Sequence, residues 1–106
     1  MKYISTRGQA PALGFTDVLL TGLASDGGLY VPETWPQLSH EELTDLRGKS
    51  YADIAFAVIN PFVDGEIEDA QLRQMIDEAY ATFAHKAVAP LKQLDSNHWL
   101  LELSAR

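Results

Sequence analysis

From Glu68 to Phe83 the apolar side chains Leu72, Met75, Ile76, Ala79, Tyr80 and Phe83 recur at the i, i+3, i+4, i+7 spacing of one helix face, which predicts a helix over 68–83. This feature constrains the chain most, because a helix with one apolar stripe must bury it against a second element. The segment just upstream offers that element. Ser50 is a good N-cap, and Tyr51, Ile54, Ala55, Val58 and Ile59 share one face of a second predicted helix. Pro61 is expected to end it, since the residue before a proline is pushed out of helical geometry. Asp64-Gly65 then turns the chain into the next helix.

Earlier segments read in the same way. Ser39-His40-Glu41-Glu42 is a capping box, in which the serine oxygen takes the amide hydrogen of residue 42 and Glu42 reaches back to Ser39; Gly48 stops the short helix it opens. Phe15, Val18, Leu19, Gly22 and Leu23 predict a helix over 15–23, with Asp17 near its positive end. Tyr3-Ile4-Ser5-Thr6 is β-prone, and Asp26-Gly27-Gly28 turns into a Leu29-Tyr30-Val31 strand closed by Pro32. Val88-Ala89-Pro90-Leu91 and His98 through Leu103 are expected strands around an Asp95-Ser96-Asn97 turn. The predicted fold is α+β: about four helices with a few short strands. The strands near the two termini are candidates to pair with each other or with a larger sheet in a neighbouring domain. Trp35, in a connector stiffened by Pro32 and Pro36, is expected to pack under a helix, and Tyr51, Trp35 and Trp99 read as core aromatics with a polar handle.

At 106 residues the chain is one domain at most, with a modest core and apolar surface left for a partner. Its 15 acidic against 8 basic side chains give a net charge of −7, a field that repels phosphate backbones, so neither nucleic acid nor an anionic membrane is an expected partner. With no cysteine there is no disulfide, zinc-thiolate site or thiol nucleophile. The N-terminus lacks the apolar run of a signal peptide, and no stretch approaches the roughly 18 apolar residues of a membrane span. The chain reads as soluble and cytoplasmic.

Candidate chemistry is sparse. His40, His85 and His98 show no metal-ligand spacing and read as surface or boundary histidines. Asp64, Glu66, Glu68 and Asp69 lack the alternating ligands of a calcium loop, and a turn with a dipole-favoured first helical turn accounts for them. Asp26-Gly27-Gly28 has no following helix, which argues for turn geometry over a phosphate loop. Ser5-Thr6-Arg7-Gly8 stands apart: two hydroxyls beside a guanidinium supply several donors to one anion, although composition alone favours, about two to one, a loop bonded to its own backbone. No nucleophile and base are paired.

Four ordered blocks carry more. Tyr3 to Gly8, then Phe15 with Val18-Leu19-Leu20-x-Gly22-Leu23-Ala24-x-Asp26-Gly27-Gly28-Leu29-Tyr30-Val31-Pro32, then Ser50 to Ala55, then Leu100-Leu101-Glu102-Leu103, resemble the N-terminal domain of threonine synthase in spelling and order. The match covers 1–103, leaving 104–106 as a divergent tail. The resemblance implies a parent of the fold type II class that uses pyridoxal phosphate to convert O-phospho-L-homoserine and water to L-threonine and phosphate. In that family the last block runs into Phe-His-Gly-Pro-Thr and then Ala-Phe-Lys-Asp, whose lysine binds the cofactor. Here Ser104-Ala105-Arg106 follow Leu103, and Lys2, Lys49, Lys86 and Lys92 fall outside that motif.

The expectation is therefore a fragment truncated before the cofactor lysine: a small, non-catalytic cap domain with no catalytic or cofactor-binding residues of its own. Its implied partners are the parent's catalytic domains, and on its own a homodimer is expected through surface left bare. Ser5, Thr6 and Arg7 are the candidate substrate-binding residues, with the guanidinium meeting the substrate phosphate or fixing a loop that does. The alternative is a small acidic module that binds another protein through Tyr80, Phe83 and the flanking strands, or a subunit that complements a separate catalytic chain.

Overall fold

The computed structural model describes residues 1–103; the tail set apart at 104–106 lies outside the described residues. The order of elements is β1 (Tyr3–Ser5), α1 (Phe15–Thr21), β2 (Tyr30–Pro32), α2 (His40–Asp45), α3 (Tyr51–Val63), α4 (Asp69–Tyr80), β3 (Leu91–Gln93) and β4 (Trp99–Leu101). Four helices and four short strands make a small α+β unit, as the sequence predicts.

Helices α3 and α4 pack on each other and hold the core: Ala55, Val63, Leu72 and Ile76 are buried, with Phe15, Phe56, Ile59, Ile67 and the Tyr51 and Tyr80 rings closing around them. Removing each large apolar chain from water stabilises the fold by roughly 1.5–3 kcal/mol. Across the two helices Arg73 meets Asp53 at 2.6 Å and, one turn along, Asp77 at 3.0 Å. Three positions of the expected apolar faces look to water instead: Val58 is 43% and Met75 52% exposed, and Ala79 is exposed as well.

Both expected caps form. Ser39 and Glu42 complete the capping box of α2, although that helix buries no residue. Ser50 caps α3, and Asp53 answers as its reciprocal partner at 3.2 Å. Pro61 does not end α3, which runs two residues further to Val63. Three anchors override the proline: Val63 is wholly buried, the Asp64 amide closes on Asn60 from a left-handed C-cap with φ 53°, and the Tyr3 hydroxyl donates to the Phe62 carbonyl. Helix α4 stops at Tyr80 rather than Phe83, and α1 at Thr21, where Gly22 takes φ 74°.

The strands pair locally. β1 runs antiparallel to β2 in the register Tyr3↔Pro32, Ile4↔Val31, Ser5↔Tyr30, and β3 runs antiparallel to β4 in the register Leu91↔Leu101, Lys92↔Leu100, Gln93↔Trp99. Among the described residues the strands near the two termini therefore do not pair with each other. β3 begins at Leu91 rather than Val88, because Val88 has φ 62° and breaks the extended chain. Tyr3 is buried and its ring lies 6.2 Å from Phe15, which seats the first sheet on the helical body. All six residues of the β3–β4 hairpin are exposed. Trp35 does reach α3, edge-on to Phe62 at 6.1 Å, but it is 62% exposed and Trp99 57%, so neither is a core aromatic.

Candidate functional site

The loop after β1 and the turn before β2 face each other because the Ser5↔Tyr30 pairing brings their ends together. Asp26 is the junction. Its carboxylate accepts the Ser5 hydroxyl at 2.8 and 2.7 Å, the Gln9 amide at 2.9 Å and the Gly28 amide at 2.9 Å. The Ser5 hydroxyl, the amides and the nearby Arg7 charge, in which the hydroxyl counts most, hold the Asp26 carboxyl below the usual carboxylate range. Ser5 is buried, and its oxygen also accepts the Arg7 amide at 3.1 Å.

Thr6 works on the other side. Its hydroxyl oxygen accepts the Leu29 amide at 3.0 Å, while its own amide donates to the Leu29 carbonyl at 2.8 Å. Gly28 has no space for a side chain: a Cβ there would lie 2.6 Å from the Ser5 hydroxyl and 2.9 Å from that of Thr6. Arg7 is exposed, and its Nη1 donates to the Asp26 main-chain carbonyl at 3.1 Å. Thus Ser5, Thr6 and Arg7 do form one cluster, and both hydroxyls are bonded to neighbouring backbone or to Asp26. The guanidinium is the group of the three that faces solvent with donors to spare. Sequence alone reads Asp26 only as part of a turn; the signal for its larger role is an aspartate ahead of two glycines, with Ser-Thr-Arg at the end of the strand that pairs beside it.

Elsewhere the residues do not converge in this way. His98 pairs with Asp95 at 2.8 Å across the β3–β4 turn, His85 accepts the Ala87 amide at 3.0 Å, and His40 opens α2. Among the described residues no group of three or more histidine, aspartate and glutamate side chains is placed to hold a metal ion. Tyr80 and Phe83, the aromatics of the protein-binding alternative, line an open cleft of about 420 Å³ beside Tyr51, His85 and Lys86. No helix is long and apolar enough to cross a membrane, among the described residues.

A family model described as threonine synthase N terminus matches residues 2–80. The chain belongs to the threonine synthase N-terminal family. It is 59% identical to threonine synthase of Pseudomonas aeruginosa over 97% of this chain and 22% of that protein, and 42% identical to the Methylobacillus glycogenes threonine synthase over 98% and 24%. Among solved structures it superposes on a pyridoxal-phosphate-bound threonine synthase from Brucella melitensis with a TM-score of 0.92 and 56% identity, covering 99% of this chain and 23% of that one. The yeast threonine synthase structure matches with a TM-score of 0.79 and 38% identity, over 88% and 19%. The chain thus spans about a fifth to a quarter of the length of these threonine synthases.

Proposed function

We propose that this chain is the N-terminal cap of a threonine synthase that converts O-phospho-L-homoserine and water to L-threonine and phosphate in the cytoplasm. The observation that carries the reading is the superposition on the Brucella enzyme, which takes in nearly the whole chain while covering less than a quarter of its partner.

Pyridoxal phosphate belongs, in this reading, to the parent's other domains, where it supplies the electron sink for the reaction. The residues described here do not fit it. Lys2, Lys49, Lys86 and Lys92 are all exposed, and the Gly27-Gly28 turn is filled by Arg7, Ser5 and Thr6 rather than open as a phosphate cradle. The cap therefore acts by docking and by presenting residues to the substrate. Docking falls to the β3–β4 hairpin: Leu91, Trp99, Leu100 and Leu101 are each 47–64% exposed, and a lone two-stranded hairpin is marginal in water. Of the Ser5, Thr6 and Arg7 set, Arg7 meets the substrate phosphate while Ser5 and Thr6 brace it from behind.

The test is a fusion in which this chain replaces the matching N-terminal segment of the Brucella enzyme. The fusion is expected to release phosphate from O-phospho-L-homoserine, and the isolated chain is expected to release none. A folded but inactive fusion, or phosphate release by the chain alone, contradicts the proposal.

A further inference from the structure

We infer that Asp26 and Gly27 are positioning residues that hold the Arg7 guanidinium as a pre-set phosphate contact; this rests on the reading of Arg7 given above.

Asp26 grips the loop on both sides of Arg7, through the Ser5 hydroxyl at 2.7 Å and the Gln9 amide at 2.9 Å. Its carboxylate thereby spends its oxygens on neutral donors. The guanidinium instead rests on the Asp26 main-chain carbonyl, and among the described residues Arg7 has no carboxylate within ion-pair distance. Arg73 shows the contrasting arrangement, with two carboxylates on one guanidinium at 2.6 and 3.0 Å. An arginine meant to hold a fold together is neutralised like Arg73. Arg7, bonded to a neutral carbonyl with the Asp26 carboxylate near but not paired to it, keeps donors free for an incoming anion.

Gly27 completes the seat. With φ 83° it has the backbone conformation that disfavours a side chain, and a Cβ there would lie 2.8 Å from Nη1. The guanidinium lies against bare backbone and is bonded there, so part of its rotamer freedom is given up before a phosphate binds.

The fusion with the Brucella catalytic portion provides the experiment, using Arg7→Ala, Asp26→Asn, Gly27→Ala and the double variant Arg7→Ala with Asp26→Asn. Asparagine would turn an N–H toward the Gln9 or Gly28 amide, and alanine at 27 would set a Cβ 2.8 Å from Nη1 and displace the guanidinium while keeping the Asp26 carboxylate. Each single variant is expected to raise the KM for O-phospho-L-homoserine and the inhibition constant of inorganic phosphate about tenfold, the scale of one charge-assisted hydrogen bond, with a smaller change in kcat. The double variant is expected to match Arg7→Ala alone, because both changes act through one group. If Arg7→Ala raises both constants while Asp26→Asn and Gly27→Ala leave them unchanged, the positioning role is wrong and the phosphate reading stands. If Arg7→Ala leaves them unchanged, the phosphate reading itself fails. A fall in melting temperature and kcat with both constants unmoved marks a merely structural turn and overturns the inference.

Discussion

Glu66 caps helix α1 from 51 positions away, its carboxylate accepting the Phe15 amide at 2.6 Å. The same carboxylate takes the Thr16 amide at 3.2 Å, so two of the helix's orphan donors are satisfied by a residue from the α3–α4 turn. Gly14 lacks a side chain to do this locally, and a Cβ there would sit 3.0 Å from the Glu66 oxygen. The contact stitches the N-terminal third of the chain to the helical core.

Glu66→Gln should therefore loosen α1 without unfolding α3 and α4. The amide group offers one acceptor where the carboxylate offers two, and it lacks the charge favoured at a helix N-terminus. The expected result is a few-fold faster hydrogen exchange at Phe15 and Thr16, with exchange at Leu72 and Ile76 little changed. Equal acceleration everywhere would mean that the contact supports the whole fold rather than one helix.

The two serine caps should differ in weight. Ser50→Ala removes the cap of a helix that contributes Ala55 and Val63 to the core, and is expected to cost about 1 kcal/mol. Ser39→Ala removes the same kind of bond from α2, which buries nothing, so fraying of that helix is expected with a smaller loss of global stability. Urea unfolding of both variants checks the order.

Core and surface substitutions should separate folding from docking. Leu72→Ala, at a position only 6% exposed, is expected to cost about 2–5 kcal/mol. Trp99→Ser changes a side chain 57% exposed and should leave the unfolding midpoint of the isolated chain nearly unchanged. In the fusion with the Brucella catalytic portion, the same Trp99→Ser is expected to lower stability or activity. No effect there would remove the hairpin from the docking surface.

Acid should weaken the fold in a defined window. Four carboxyls are held below their ordinary range: Asp26 chiefly by the Ser5 hydroxyl, Asp53 by the Arg73 guanidinium, Glu66 by the Phe15 amide and Asp95 by the Asn97 amide. Each binds a proton less readily when folded than when unfolded. Their stabilisation is therefore fully present above the ordinary carboxyl value of about 4 and is lost as pH falls through the lower folded values. Unfolding midpoints are expected to hold steady near neutrality and fall below about pH 4.5, and Asp53→Asn should flatten that fall.

The parts legible in the sequence are those written over a few neighbouring residues. The Ser39–Glu42 box, the Ser50 cap, the α4 stripe and the Asp26-Gly27-Gly28 turn each depend on spacing within one or two helical turns. Pro61 misled because its local cost is outweighed by distant anchors, the burial of Val63 and the bond from Tyr3 to Phe62, 59 positions apart. The start of β3 at Leu91 depended on Val88, whose left-handed backbone no propensity of a β-branched residue would suggest. In the candidate site, Ser5, Thr6 and Arg7 stood out by type. Asp26 did not, because its partners Ser5 and Gln9 lie 21 and 17 positions away and become neighbours only once β1 meets β2.

The β3–β4 hairpin is bare on both faces, and a lone two-stranded hairpin is marginal in water. Under the docking proposal, such an arm is expected to gain protection only when a second surface closes over it. Its amides then serve as a gauge: rapid exchange at Leu100 and Leu101 beside slow exchange at Leu72 would report an arm still open, and slowing at those two positions would time the moment of assembly.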